Sequence, residues 1–109
     1  MSEASDAAFK TAQQRIAEAK ASGADTLDLS DLGEALERLP RQIADLTGLT
    51  ELDLSGTQVS DVTALAGLTG LTWLRLTGTQ VSDVTALKGL TGLTSLDLGG
   101  TPVRDVTAL

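Results

Sequence analysis

The sequence predicts an α/β solenoid: a short arc of stacked repeats with a parallel sheet on the concave face, short 3-10 or helical turns on the convex face, and a capping helix at the N-terminus. Three observations predict it. The stretch LTGLTELDLSGTQVSDVTALAG, residues 46–67, is followed at once by LTGLTWLRLTGTQVSDVTALKG, residues 68–89, with four differences in 22 positions. Within each copy leucines first alternate with polar residues, and apolar residues then recur at every third position. Leucine must also fill the core, because Phe9 and Trp73 are the only aromatic residues.

The 109 residues suit one domain. Fifteen acidic against eight basic residues give a net charge of −7, with no basic run, which argues against a nucleic-acid backbone or an anionic membrane as partner. Cysteine and histidine are absent, so a disulfide framework, a thiolate metal site and the common nucleophile–base pairs are excluded. No GxxxxGK[ST] or GxGxxG loop occurs, and no cofactor is expected. The opening MSEASDAAFKTAQQRIAEAK has neither a basic nor an apolar signal region, and the expected location is cytoplasmic.

Taking the elements in order, Ser5 to Ser22 reads as a helix rich in Ala, Gln, Lys, Glu and Arg. Phe9, Ala12, Ile16 and Ala19 form its narrow apolar stripe, and Gly23 stands where a left-handed C-cap belongs. The expected role of residues 1–23 is a lid over the first strand, whose bare edge would otherwise template aggregation. A partner-binding helix is the alternative.

Repeats are expected over 24–48, 49–70, 71–92 and 93–109, the last incomplete. The pairs Leu27/Leu29, Leu52/Leu54, Leu74/Leu76 and Leu96/Leu98 recur at spacings of 25, 22 and 22. In LTELDLS, leucines alternate with Glu51, Asp53 and Ser55, the period of a strand with one buried face. After the SGT or TGT turn, Val59, Val62, Leu65 and Leu68 follow at intervals of three, which suits a single 3-10 or α turn, with Ser60 as its expected cap. One such unit cannot bury its apolar face alone; stacking the units can.

The pattern Leu49, Leu52, Leu54, Thr57, Val59, repeated at Leu71, Leu74, Leu76, Thr79, Val81 and at Leu93, Leu96, Leu98, Thr101, Val103, resembles the leucine-rich repeat family from Ala24 to Leu109. The resemblance implies a protein-binding module. Thr57, Thr79 and Thr101 occupy the position of the family's asparagine, whose side chain satisfies buried backbone groups; a threonine hydroxyl offers fewer bonds, so a weaker ladder is expected. The first copy, LDLSDLGEALERLPRQIADL, places Leu32 at the ladder position and looks like the first repeat of bacterial members, some fused to signalling domains. Pro40 should stop any helix begun over 33–39, after which Ile43 and Leu46 return to the core.

The expected function is non-catalytic, with no catalytic or metal-binding residues. Asp25, Asp28 and Asp31 miss the calcium-loop spacing, since Leu32 takes a ligand slot and Leu39 the place of the closing Glu. The recurrent Ser60-Asp61 and Ser82-Asp83 pairs, with Arg104-Asp105 in the last copy, read as turn caps. The strand positions that face solvent carry three of the four differences between the near-identical copies. The expected binding face is therefore Glu51, Asp53, Trp73, Arg75, Ser95 and Asp97. Trp73 and Arg75 belong to the types that most often anchor interfaces, although Arg75 would also neutralise the row of Asp53 and Asp97.

Four strands about 4.8 Å apart make a face about 15 Å wide by ~10 Å along the strands, an area several times smaller than the roughly 800 Å² per partner of a standard interface. A protein or peptide partner on this face is thus expected to engage a short segment. The last copy stops two residues short of a full period, and an open edge at Ser95, Leu96, Asp97, Leu98 and Leu109 is expected to support a homodimer.

Overall fold

A computed structural model describes residues 3–103. Helix α1 spans Glu3–Ser22, with Glu3 and Asp6 in its first turn and Lys20 in its last, each sign placed favourably against the helix dipole. Gly23 ends it at φ 70°: its N–H donates to the Lys20 carbonyl, and the Ala24 N–H donates to Ala19 at 2.9 Å. These two bonds form a Schellman cap. The buried stripe runs through Ser5, Ala8, Ala12, Ile16 and Ala19. Phe9, expected in that stripe, is instead half-buried at its margin, with the Arg38 guanidinium 4.3 Å from its ring centroid. Small side chains let the helix lie close to the first repeat.

Four parallel strands follow in sheet order: β1 Thr26–Asp28, β2 Glu51–Asp53, β3 Trp73–Arg75 and β4 Ser95–Asp97. Leu27, Leu52, Leu74 and Leu96 are partners in register. The pairing continues past the strands, where the Gly56 N–H donates to Thr77 and the Gly78 N–H to Gly99, each at 2.8 Å. At that point the chain must turn away from the sheet, and it does so through Gly56, Gly78 and Gly100 at φ between 70° and 75°. Only glycine adopts this conformation without strain.

The core is one leucine and valine column. Leu52, Leu54, Val59, Leu65, Leu68, Leu71, Leu74, Leu76 and Val81 are all at least 99% buried. Thr57 and Thr79 are buried with them, and their hydroxyls donate to the Leu54 and Leu76 carbonyls at 2.7 Å. Thr101 repeats the bond to Leu98 at 2.6 Å. Each threonine therefore braces its own repeat and does not reach into the next.

On the convex side, 3-10 turns at Thr63–Leu65 and Thr85–Leu87 match the expected spacing. Their cap is not Ser60. Asp61 Oδ1 accepts from both the backbone N–H (2.9 Å) and the hydroxyl (2.7 Å) of Thr63, and Asp83 does the same for Thr85. A carboxylate can accept both bonds at once, which a serine at the preceding position is not placed to do. Arg104 and Asp105 lie outside the described residues.

The first repeat carries three extra residues, and the structure shows where they go. No α-helix forms over 33–39; a 3-10 segment at Ser30–Ala35 is broken by Gly33 at φ 55°, ψ −146°, and ends before Leu36. Leu36, fully buried, takes the place of Val59, since the Gln58 N–H donates to Leu36 as Gln80 does to Val59. That insertion uses two residues. The third falls before Pro40, which is buried where Val62 stands in the next repeat, and a 3-10 turn at Arg41–Asp45 then returns Ile43 to the core. Arg15 ties α1 to this region by two bonds to Asp31, the longer 2.7 Å, holding the Asp31 carboxyl below its ordinary range. Among the described residues, no helix is long and apolar enough to cross a membrane.

Candidate functional site

Each strand has three residues and turns the middle one inward, buried in β1 to β3 and half-buried in β4, so the flanking two face outward. In register they make two rows: Thr26, Glu51, Trp73, Ser95, and Asp28, Asp53, Arg75, Asp97. The structure thus brings all six residues expected of a binding face onto one surface. Trp73 is half-buried and Arg75 is exposed, with its guanidinium 5.0 Å from the Trp73 ring centroid. That is a cation–π pair within one strand.

The ion pairs among the described residues are Arg15–Asp31 and Lys20–Asp45, both from the C-terminal half of α1. Arg75 therefore moderates its carboxylate row through the field alone. Its attraction is the least of the influences that hold the Asp97 carboxyl below its ordinary range; the first is the bond that Asp97 accepts from the Gly99 N–H at 2.9 Å.

That bond reveals a second task for the acidic row, which sequence reasoning missed. Asp28 Oδ1 accepts from the N–H and hydroxyl of Ser30, and Asp53 Oδ1 from those of Ser55 at 2.9 and 2.6 Å. An aspartate at this position closes the turn behind its strand. The signal was present as D-x-S at 28–30 and 53–55. Arg75 cannot accept, so the Thr77 hydroxyl behind it is left without a partner in its own turn; buried and with no hydrogen bond of good geometry, it acts instead on Asp97 in the next strand, as the second influence that lowers that carboxyl. The third repeat has given up a bond that its neighbours make.

Beside Trp73 a depression of about 190 Å³ is lined by Thr26, Leu27, Asp28, Glu51, Asp53 and Trp73. A wider hollow, about 660 Å³, lies on the convex side between Asp61 and Asp83. Those carboxylates are held below their ordinary range by the bonds from Thr63 and Thr85 and serve the turns. Among the described residues, no three acidic, histidine or cysteine side chains gather as a metal would require; Asp28 and Asp31 are engaged by Ser30 and Arg15.

At β4, Leu93, Leu96 and Leu98 are only half-buried, whereas Leu71, Leu74 and Leu76 one repeat earlier are at most 1% exposed. Ser95 and Asp97 are exposed beside them, and Leu109 lies outside the described residues.

One short strand per repeat, a parallel concave sheet, a leucine column and 3-10 turns behind it define a leucine-rich repeat solenoid. The chain matches the family model described as leucine-rich repeat and WD repeat-containing protein 1, LRR, over residues 11–108, and it belongs to the leucine-rich repeat family. Among solved structures it is similar to internalin C2 from Listeria monocytogenes, with 42% identity and a TM-score of 0.65. The match covers 68% of this chain and 32% of that one, so the chain spans about a third of the internalin's length. No curated protein matches it.

Proposed function

We propose that the chain is a non-catalytic module that binds a protein or peptide on its concave face, through Glu51, Asp53, Trp73, Arg75, Ser95 and Asp97. What supports this most is the position of Arg75. It replaces the turn-closing acceptor present in the other three strands, at the expense of the Thr77 hydroxyl, and it stacks on the chain's only tryptophan. A surface residue that costs the fold a hydrogen bond is the kind retained for binding.

The reading is tested by selecting phage-displayed random dodecapeptides on the immobilised chain. Enriched peptides should lose at least about tenfold in affinity to Trp73→Ala, the size of an interface anchor. Equal binding to Trp73→Ala and Arg75→Ala, or no enrichment, would refute it.

A second reading, self-association through Ser95 to Leu98 with Leu109, draws on the incomplete burial of Leu93, Leu96 and Leu98. It requires a dimer in light scattering, and a monomer across a hundredfold concentration range would exclude it. A third, in which the chain is the sensing segment of a larger signalling protein, draws on its spanning only 32% of internalin C2. It stands only if a longer reading frame containing the chain is found.

A further inference from the structure

Resting on the concave-face reading, we infer that the partner is recognised through a lysine or arginine side chain of an extended peptide segment, seated in the depression between β1, β2 and Trp73. The size of the depression sets the class of occupant. At about 190 Å³ it falls below the roughly 300–1,000 Å³ of small-molecule pockets and suits one side chain.

The lining sets the charge. Asp28, Glu51 and Asp53 line the depression; of the two cations near it, Arg75 stacks on Trp73 and Arg15, whose Nη1 donates to the Asp28 carbonyl at 3.2 Å, is committed to Asp31, so the lining stays acidic and an anionic group meets repulsion there. An apolar group would strip water from carboxylates and return nothing for it. A cation is attracted by the carboxylates and by the aromatic wall alike.

The acceptors are also held in place. Asp28 and Asp53 each commit Oδ1 to the turn behind the strand, which fixes the carboxylate while Oδ2 stays available. Glu51 is exposed, and among the described residues its carboxylate makes no hydrogen bond or ion pair, while its backbone N–H donates to the Asp25 carbonyl. Acceptors already oriented before binding lose little entropy on meeting a donor. The chain itself shows that a guanidinium sits well on Trp73, since Arg75 stacks on that ring at 5.0 Å. At about 3.3 Å per residue, an extended peptide of roughly five residues crosses the four strands and can deliver one side chain into the depression.

The experiment uses dodecapeptides enriched on the full chain, resynthesised with each lysine replaced by norleucine and each arginine by citrulline, which remove the charge and keep the aliphatic part of the side chain. Binding is followed at the indole N–H resonance of Trp73 in the nitrogen-labelled chain. Neutralising one position should weaken binding roughly three- to tenfold, as partly exposed cation–π and ion pairs allow. That loss should shrink in Glu51→Gln, the signature of a direct coupling.

Neutral peptides that bind as tightly, or enriched peptides without a common cation, would overturn the inference while binding still depends on Trp73 and the concave reading stands. Binding that ignores Trp73→Ala would remove the concave reading, and the inference with it.

Discussion

Replacing Arg75 by asparagine should make the protein more stable and less able to bind. An asparagine Oδ1 at this position can accept from the N–H and hydroxyl of Thr77, as Asp61 does from Thr63 at 2.9 and 2.7 Å. It also avoids adding a third carboxylate between Asp53 and Asp97. The reference is Arg75→Ala, which loses the same stacking on Trp73, so the difference between the two variants isolates the turn. Restoring a partner to a buried hydroxyl and adding a backbone bond at an exposed turn should contribute about 1 kcal/mol, within the 0.5–2 kcal/mol that separates asparagine from alanine at helix caps. For a chain of this size that corresponds to a melting temperature about 4–8 °C higher for the asparagine variant than for alanine. Against wild type, the lost stacking of about 0.5 kcal/mol leaves a smaller net gain. Thermal melts followed by far-ultraviolet circular dichroism, checked by urea titration, measure both differences. An asparagine variant no more stable than the alanine variant would refute the account of Thr77, and with it the claim that Arg75 displaces a structural bond.

Other substitutions test the scaffold. Thr79→Val keeps the shape but removes the hydroxyl bond to the Leu76 carbonyl, and it should lower stability by about 1 kcal/mol, seen as a lower urea midpoint at unchanged slope. Arg15→Ala should cost about 0.2–1 kcal/mol at neutral pH, as an exposed pair does. Because the Asp31 carboxyl is lowered in the folded state, that contribution is complete above the unfolded value of about 3.9 and fades as pH falls through the folded one. Wild type and Arg15→Ala should therefore converge in acid, and a gap that persists there would contradict the assignment. Leu74→Ala should cost about 2–5 kcal/mol, and Leu96→Ala clearly less, because Leu74 is enclosed on both sides while Leu96 is half-exposed at the last described strand. Equal losses in denaturant titrations would mean that the β4 edge is covered in solution.

The repeat period, the strand register and the concave rows were legible because one constraint generates all three: a leucine that must be buried at the same point of every 22-residue unit. The details hidden from sequence reasoning were those in which two residue types compete for one local job. Ser60 and Asp61 are both capping residues, and only the geometry shows the carboxylate accepting both bonds from Thr63. Asp53 read as a surface residue free to vary, because period-2 alternation reports burial and carries no record of what an exposed oxygen accepts. Hydrophobicity alone assigns Phe9 to the buried stripe, but the close approach of α1 favours the small Ala8, and the larger ring is set at the margin under Arg38. In the first repeat Leu36 and Pro40 were passed over as core residues, since three extra residues break the spacing on which the pattern depends.

The near-identity of the second and third repeats also bears on how the chain finds its neighbours. During folding, β1 meets two segments that offer it almost the same buried residues, 25 and 47 positions away. Closing the longer loop costs only about 0.6 kcal/mol more, so side-chain complementarity and chain entropy alone discriminate weakly. The decision falls to whole-unit burial, because skipping a repeat leaves 22 residues looped out with their leucines in water. Correct order in this chain is thus a collective property of the stack, and removing residues 46–67 as a block should join the neighbours on either side without any strand changing its register.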